Sequence, residues 1–207
     1  MKIVVFPGVG IEKATKKHID FLNNIKKELN CEGEIFEWEV GHNHPIVDLP
    51  YKKIREYAYE VILDFQEIIL YAMETKVPYA DVYIGHSAGS ILALVQKNSP
   101  CIIFGSPARL IEFINAKQAN ARVNEAIDCI TKNINRHVFN FVNRYDILSL
   151  PLPGNSVENY EYSEPLIYPS TYYPWNAHGS YWKSKKVMGK IVEKINEWKY
   201  EIMLNKK

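Results

Sequence analysis

Short apolar runs separated by long amphipathic stretches constrain this chain more than any other feature. Ile3-Val4-Val5-Phe6 is rich in β-branched residues and is stopped by Pro7-Gly8, so it reads as a strand. Asp81 to Ile84, Cys101 to Phe104 and Val138 to Val142 read the same way. Ile35 to Val40 alternates apolar and acidic residues, which predicts a strand nearer an edge. Between these runs, apolar residues recur at helical spacing, as at Phe21, Leu22, Ile25 and Leu29, then from Ile54 to Ala72, then at Ile91, Leu92 and Val95. Parallel neighbours need a crossover, so strands alternating with helices predict an α/β fold on a mostly parallel sheet.

The chain has 207 residues, which is one domain's worth, and a chain of this size buries roughly 70% of its unfolded surface. Hydrophobic residues at 47% and charged residues at 24% exclude wholesale disorder. Twenty-five basic residues against 24 acidic ones leave a charge of +1, so nothing steers the chain towards nucleic acid or an anionic membrane. No apolar stretch approaches the ~20 residues of a membrane span, and the apolar run at Ile3 is too short for an export signal. Cys31, Cys101 and Cys129 are odd in number and widely spaced, which suggests neither disulfides nor zinc and predicts a reduced, cytoplasmic setting. His42 and His44 flank Asn43 without a third partner, so no metal site is expected.

Two segments break the pattern. Residues 108–134 read as two helical pieces around a polar middle. From Pro151 to Ala177, five prolines and five tyrosines forbid a long helix and predict an ordered loop, with a short strand around Leu166-Ile167. A last helix follows from about Tyr181, with Val187, Ile191, Ile195 and Trp198 on one face.

The chemistry lies in Gly85-His86-Ser87-Ala88-Gly89. It fits G-x-S-x-G, a sharp strand-to-helix turn that holds a serine in a strained conformation. Such five-residue patterns recur by chance; a strand immediately before and a helix immediately after make this one specific. A serine nucleophile needs a base, and the base an orienting carboxylate. Only His137 and His178 follow Ser87, and His137 precedes a strand at the wrong end of the sheet. His178 sits just ahead of the final helix, where an imidazole can reach the turn. Asp128 lies in a helical stretch, whereas Asp146 follows the fifth strand at its carboxyl end, where parallel sheets place functional loops. Ser87, Asp146 and His178 are therefore the predicted triad. The glycine-rich turn Pro7 to Gly10 beside the elbow strand offers Val9 N–H, which with Ala88 N–H would make an oxyanion hole whose individual donors are worth roughly 3–4 kcal/mol.

With these residues in place, the chain resembles the α/β-hydrolase superfamily in a compact version, like the small serine esterases and lipases. The resemblance implies a three-layer sandwich around a central, mostly parallel sheet of about five strands in the order 2-1-3-4-5, forming a single domain over residues 1–207. It also implies that 108–134, which falls where such enzymes insert a lid, is a cap. Two departures stand out: Pro7 replaces the histidine that many relatives carry before the oxyanion glycine, and no final strand is evident before His178.

The expected activity is ester hydrolysis through an acyl-enzyme on Ser87, with a small-molecule ester as substrate and no cofactor. An amidase, thioesterase or acyltransferase would use the same triad, and a binding module could keep the fold without the reaction. Each residue also has a structural reading: Ser87 as a surface serine, Asp146 as an Asx turn, His178 as a loop histidine. Because His178 must reach Ser87, the residues just before it are drawn towards the site, so Tyr172, Tyr173 or Trp175 is expected to wall the substrate pocket.

Overall fold

The computed structural model describes residues 1–8, 14–38, 67–96, 99–109, 136–146, 148–163 and 174–204. Its centre is one six-stranded sheet in which every pairing is parallel. In chain order the strands are β1 (Lys2–Phe6), β2 (Glu32–Ile35), β3 (Val82–His86), β4 (Cys101–Phe104), β5 (Val138–Asn143) and β6 (Val157–Tyr162). Their spatial order is β2-β1-β3-β4-β5-β6, the expected order extended by one strand. The helices are α1 (Lys16–Leu29), α2 (Gly89–Val95), α3 (Pro174–Ser180) and α4 (Lys185–Leu204), with a further helical stretch at 67–74.

Strand periodicity sorts the core into two layers. Val4, Phe6, Tyr83, Cys101 and Ile103 face one side and pack under α2 and the stretch 67–74. Their neighbours Val5, Ile84, Ile102, Phe104 and Phe141 face the other side, against Phe21 and Ile25 of α1 and Val187 and Ile191 of α4. Both faces of β3 and β4 are covered, which is why those strands read as continuous apolar runs.

The sequence expectations need correction at the edges. β2 is an edge strand as predicted but spans Glu32–Ile35 rather than Ile35–Val40. It ends opposite Val5, one residue before β1 does: Ile35 pairs with Val5, Phe36 N–H donates to Val5 O, and two residues later the Trp38 indole turns in to donate to the Pro7 carbonyl at 2.9 Å. At the other edge, the segment expected to be a loop contains β6. Tyr160 stacks on Phe139 (ring centroids 5.9 Å apart) and Tyr162 meets Phe141 edge-on (6.1 Å), while Asn159 bonds Asn140 across the strands. These cross-strand pairs hold a sequence that alone reads as polar. The expected strand at Leu166-Ile167 lies outside the described residues. His178 belongs to α3 rather than to a loop, and Tyr181–Lys183 form a 3₁₀ turn ahead of the final helix, which starts at Lys185.

Candidate active site

The strand order reverses between β1 and β3: from β1 the chain builds outward to β2 on one side, and β3 to β6 follow on the other. Open parallel sheets leave a crevice at the carboxyl ends of the strands beside such a switch point. Here that crevice is bordered by Pro7-Gly8 after β1 and Ser87 after β3.

Ser87 is held at φ +53°. The other non-glycine residue with positive φ among those described is Asn30, which ends α1 in the left-handed conformation that asparagine tolerates. A serine there costs on the order of 1 kcal/mol or more, which the surroundings must impose. The flanking glycines show how. A Cβ on Gly85 would lie 2.6 Å from Gly89 O and from Ser90 Cα, and one on Gly89 would lie 2.3 Å from Pro7 O and 2.4 Å from Phe6 O. The turn is thus pressed against both β1 and its own helix, and neither position admits a side chain. Ser87 N–H donates to Phe104 O, and Ser90 Oγ–H donates to Ser87 O at 2.6 Å; Ser90 Oγ also lies 2.7 Å from Ser106 Oγ in the loop after β4. Gly8 closes the near side, since a Cβ there would stand 3.0 Å from Ser87 Cβ and 3.5 Å from its Oγ.

Asp146 and His178 are in direct contact, with His178 Nδ1 3.0 Å from Asp146 Oδ2. A carboxylate oxygen accepts this bond, so Nδ1 carries the proton; in a neutral ring of that tautomer Nε2 holds the lone pair. The two Asp146 oxygens divide their work. Oδ1 accepts Leu148 N–H at 3.0 Å, an Asx turn of the kind a structural aspartate makes, while Oδ2 accepts from both His178 and the Tyr181 hydroxyl, the latter at 2.8 Å. An Asx turn and the contact with His178 therefore coexist in one side chain. Burial and the adjacent Asp146 carboxylate push the Tyr181 phenol well above its ordinary pKa, so it remains a donor.

Gly105, at φ +59° directly after β4, lies behind this pair. A Cβ there would stand 2.9 Å from His178 Nδ1 and 3.0 Å from Asp146 Oδ2. The loop after β4 thus touches the Asp146–His178 pair at Gly105, while its neighbour Phe104 accepts from Ser87 N–H. Ser87 itself is nearly enclosed, at 8% exposure, and the Asp146 side chain is fully buried.

Sequence reasoning overlooked His86, Gly105 and Tyr181. His86 occupies the unspecified position of the motif, and its Nε2–H donates to the His178 carbonyl at 2.7 Å. Tyr181 marks only the approximate start of the expected final helix. The glycine in Phe104-Gly105-Ser106 was the signal available for the loop after β4. Other expectations fall outside the described residues: Val9, Tyr172, Tyr173, Asp128, His42, His44 and the cap 108–134 beyond Ala108 and Arg109. Trp175 lies in α3, with its side chain also outside them. Ala88 directly precedes α2 and is buried. His137 sits just before β5, at the opposite end of the sheet, stacked on Trp198. Among the described residues, no three His, Cys, Asp or Glu side chains gather as metal ligands, and no helix is long and apolar enough to cross a membrane.

No family model and no curated protein matches the sequence. Among solved structures, the chain is similar to the esterase domain of a Rhodothermus marinus protein, with a TM-score of 0.39 and 9% identity over 78% of this chain and 76% of that one.

Proposed function

We propose that this protein is a serine hydrolase that cleaves carboxylic esters through an acyl-enzyme on Ser87. One observation carries the reading: a serine at φ +53° is forced up at a parallel-sheet switch point, at the same strand ends as a buried aspartate–histidine pair of the correct tautomer. Strain at a non-glycine residue persists where the surroundings impose it, and functional sites are where it concentrates.

In this reading His178 Nε2 takes the Ser87 hydroxyl proton as Oγ bonds to the ester carbonyl carbon, whose π electrons move to oxygen. The N–H groups of Ala88 and Val9 receive that oxyanion. Collapse breaks the bond to the alkoxide, which leaves with the proton from His178. Water then repeats the sequence on the acyl-enzyme and frees the acid. Asp146 holds the tautomer and stabilises the imidazolium, and Tyr181 fixes the aspartate. Tyr172, Tyr173 or Trp175 supplies a wall for the acyl or alcohol group. Losing that wall would weaken kcat/KM on large apolar esters by about 1–3 kcal/mol while sparing acetates.

The test is covalent. A fluorophosphonate probe is expected to label Ser87, and p-nitrophenyl esters of graded acyl length are expected to be hydrolysed. A protein that is not labelled, or an adduct mapped to a different serine, overturns the proposal.

A further inference from the structure

The proposed acyl transfer leaves one buried titratable group beside the nucleophile unused. The His86 ring is enclosed by His178 (centroids 4.6 Å apart), Trp182 (5.2 Å) and Phe104 (5.3 Å). A carbonyl can only accept, so the 2.7 Å contact with His178 O fixes the proton on Nε2 and leaves Nδ1 bare. Nδ1 is buried and meets no hydrogen-bond partner among the described residues. It faces the turn after β1, where a Cβ on Gly8 would touch both it and Ser87 Oγ. Burial, with the neighbouring His178 adding to it, holds the ring neutral by keeping its pKa well below the ordinary histidine value.

The His178 carbonyl lies in the last turn of α3, where two side chains donate to the backbone: the Ser180 hydroxyl to Ala177 O and the His86 ring to His178 O. His178 is then held at two points, its ring by Asp146 and its backbone by the side chain of the residue covalently joined to Ser87. We infer that His86 is a positioning residue, setting the distance between nucleophile and base by tying the His178 backbone to the elbow. The inference rests on the triad reading above. It goes further by giving a role to the motif's unspecified residue.

The experiment compares His86→Phe, which keeps the ring but removes the N–H, with His86→Gln, whose amide places a donor near the same point. With p-nitrophenyl acetate, His86→Phe is expected to lower kcat about 10- to 100-fold with KM changed less than about twofold, because misplacing a base by ~1 Å costs on that order. His86→Gln is expected to recover kcat to within about fivefold of wild type. If the phenylalanine variant keeps kcat within about threefold, or glutamine does no better than phenylalanine, the inference is overturned. Fluorophosphonate labelling of wild type keeps the two failures apart. An unlabelled wild type sinks the acyl-transfer reading and this one with it, whereas a labelled wild type with an unimpaired His86→Phe sinks only the role of His86. Should His86→Phe fail to fold, ¹⁵N imidazole spectra of the wild type still decide. A neutral ring protonated at Nε2 is expected, and a charged ring or an Nδ1–H tautomer contradicts the tie.

Discussion

The two ends of the same sheet are built to opposite purposes. At the amino ends of the strands, polar groups close on one another. Lys2 N–H donates to Asp81 Oδ2 and Asp81 N–H to Lys2 O, stitching β1 to β3. Ser99 Oγ–H donates to Ala80 O, and the Arg136 guanidinium reaches Ser99 O, Ala93 O and Leu94 O, supplying donors at the end of α2. At the carboxyl ends the backbone is bent into left-handed conformations at Ser87 and Gly105, and buried atoms such as His86 Nδ1 and Asn143 Nδ2 have no hydrogen-bond partner among the described residues. Shared strands connect a satisfied end to a strained one, so the stability of the first can hold the geometry of the second. Substitutions at one end should therefore cost stability with little loss of rate, and at the other cost rate with little loss of stability.

The sharpest way to break this contrast is at Ser87. Ser87→Ala and Ser87→Gly are both expected to lose about 10⁴–10⁶-fold in esterase kcat. Glycine adopts positive φ freely, so Ser87→Gly should also melt above Ser87→Ala by the equivalent of about 1 kcal/mol. Calorimetry on the two variants reads this directly; equal melting temperatures would remove the strain argument. Asp146→Asn comes next. An amide favours the wrong imidazole tautomer, so kcat should fall by about 10⁴ while the fold is kept. Steady-state kinetics beside a melting curve check it.

The opposite end supplies the mirror test. Arg136→Ala removes the guanidinium donor from three carbonyls, of which Ala93 O keeps Gln96 N–H, and should cost about 2 kcal/mol of stability by urea titration, with kcat unchanged at temperatures where the variant is folded. Tyr181→Phe deletes one donor to Asp146 Oδ2 and should lower kcat several-fold, roughly 1 kcal/mol in the barrier, with a small fall in Tm. The smallest effect concerns His18, in the first turn of α1. Its Nδ1 accepts Thr15 N–H at 3.2 Å at the start of the helix, its ring packs on Trp182, and burial lowers its pKa to about 4. The folded value lies below the unfolded one near 6.5, so the unfolded chain binds more protons between these limits. His18 thus contributes stability that is fully present above pH 6.5 and is lost as pH falls towards 4. Tm measured across that window should fall less steeply in His18→Gln, which keeps an acceptor for the helix start.

How much of this was legible follows burial. β1, β3, β4 and β5 are covered on both faces or nearly so, and their apolar runs declared them. The elbow declared itself because its glycines answer a local steric demand, and Asp146 because it follows a legible strand. β6 did not, since Val157 to Tyr162 is half acidic and amide, and its pairing depends on Phe139, Asn140 and Phe141 on a separate strand. His86 and Tyr181 were hidden for the same reason. Their partners, His178 O and Asp146 Oδ2, are distant in the chain, and no local pattern encodes a contact made only after folding.

The all-parallel order also bears on how the chain reaches this state. β5 and β6 are joined by the short segment 144–156, so their pairing, with its tyrosine and phenylalanine contacts, closes a small loop. β1 meets β3 only after everything from residue 7 to residue 81 has been spanned. Loop closure costs more as the loop lengthens, and non-local pairing slows folding. The Ser87 turn rests on Phe6 and Pro7 and so depends on that late pairing. A nascent or partly unfolded chain would carry Asp146 on an early aromatic nucleus, and Ser87 would gain its left-handed conformation only as β1 docks.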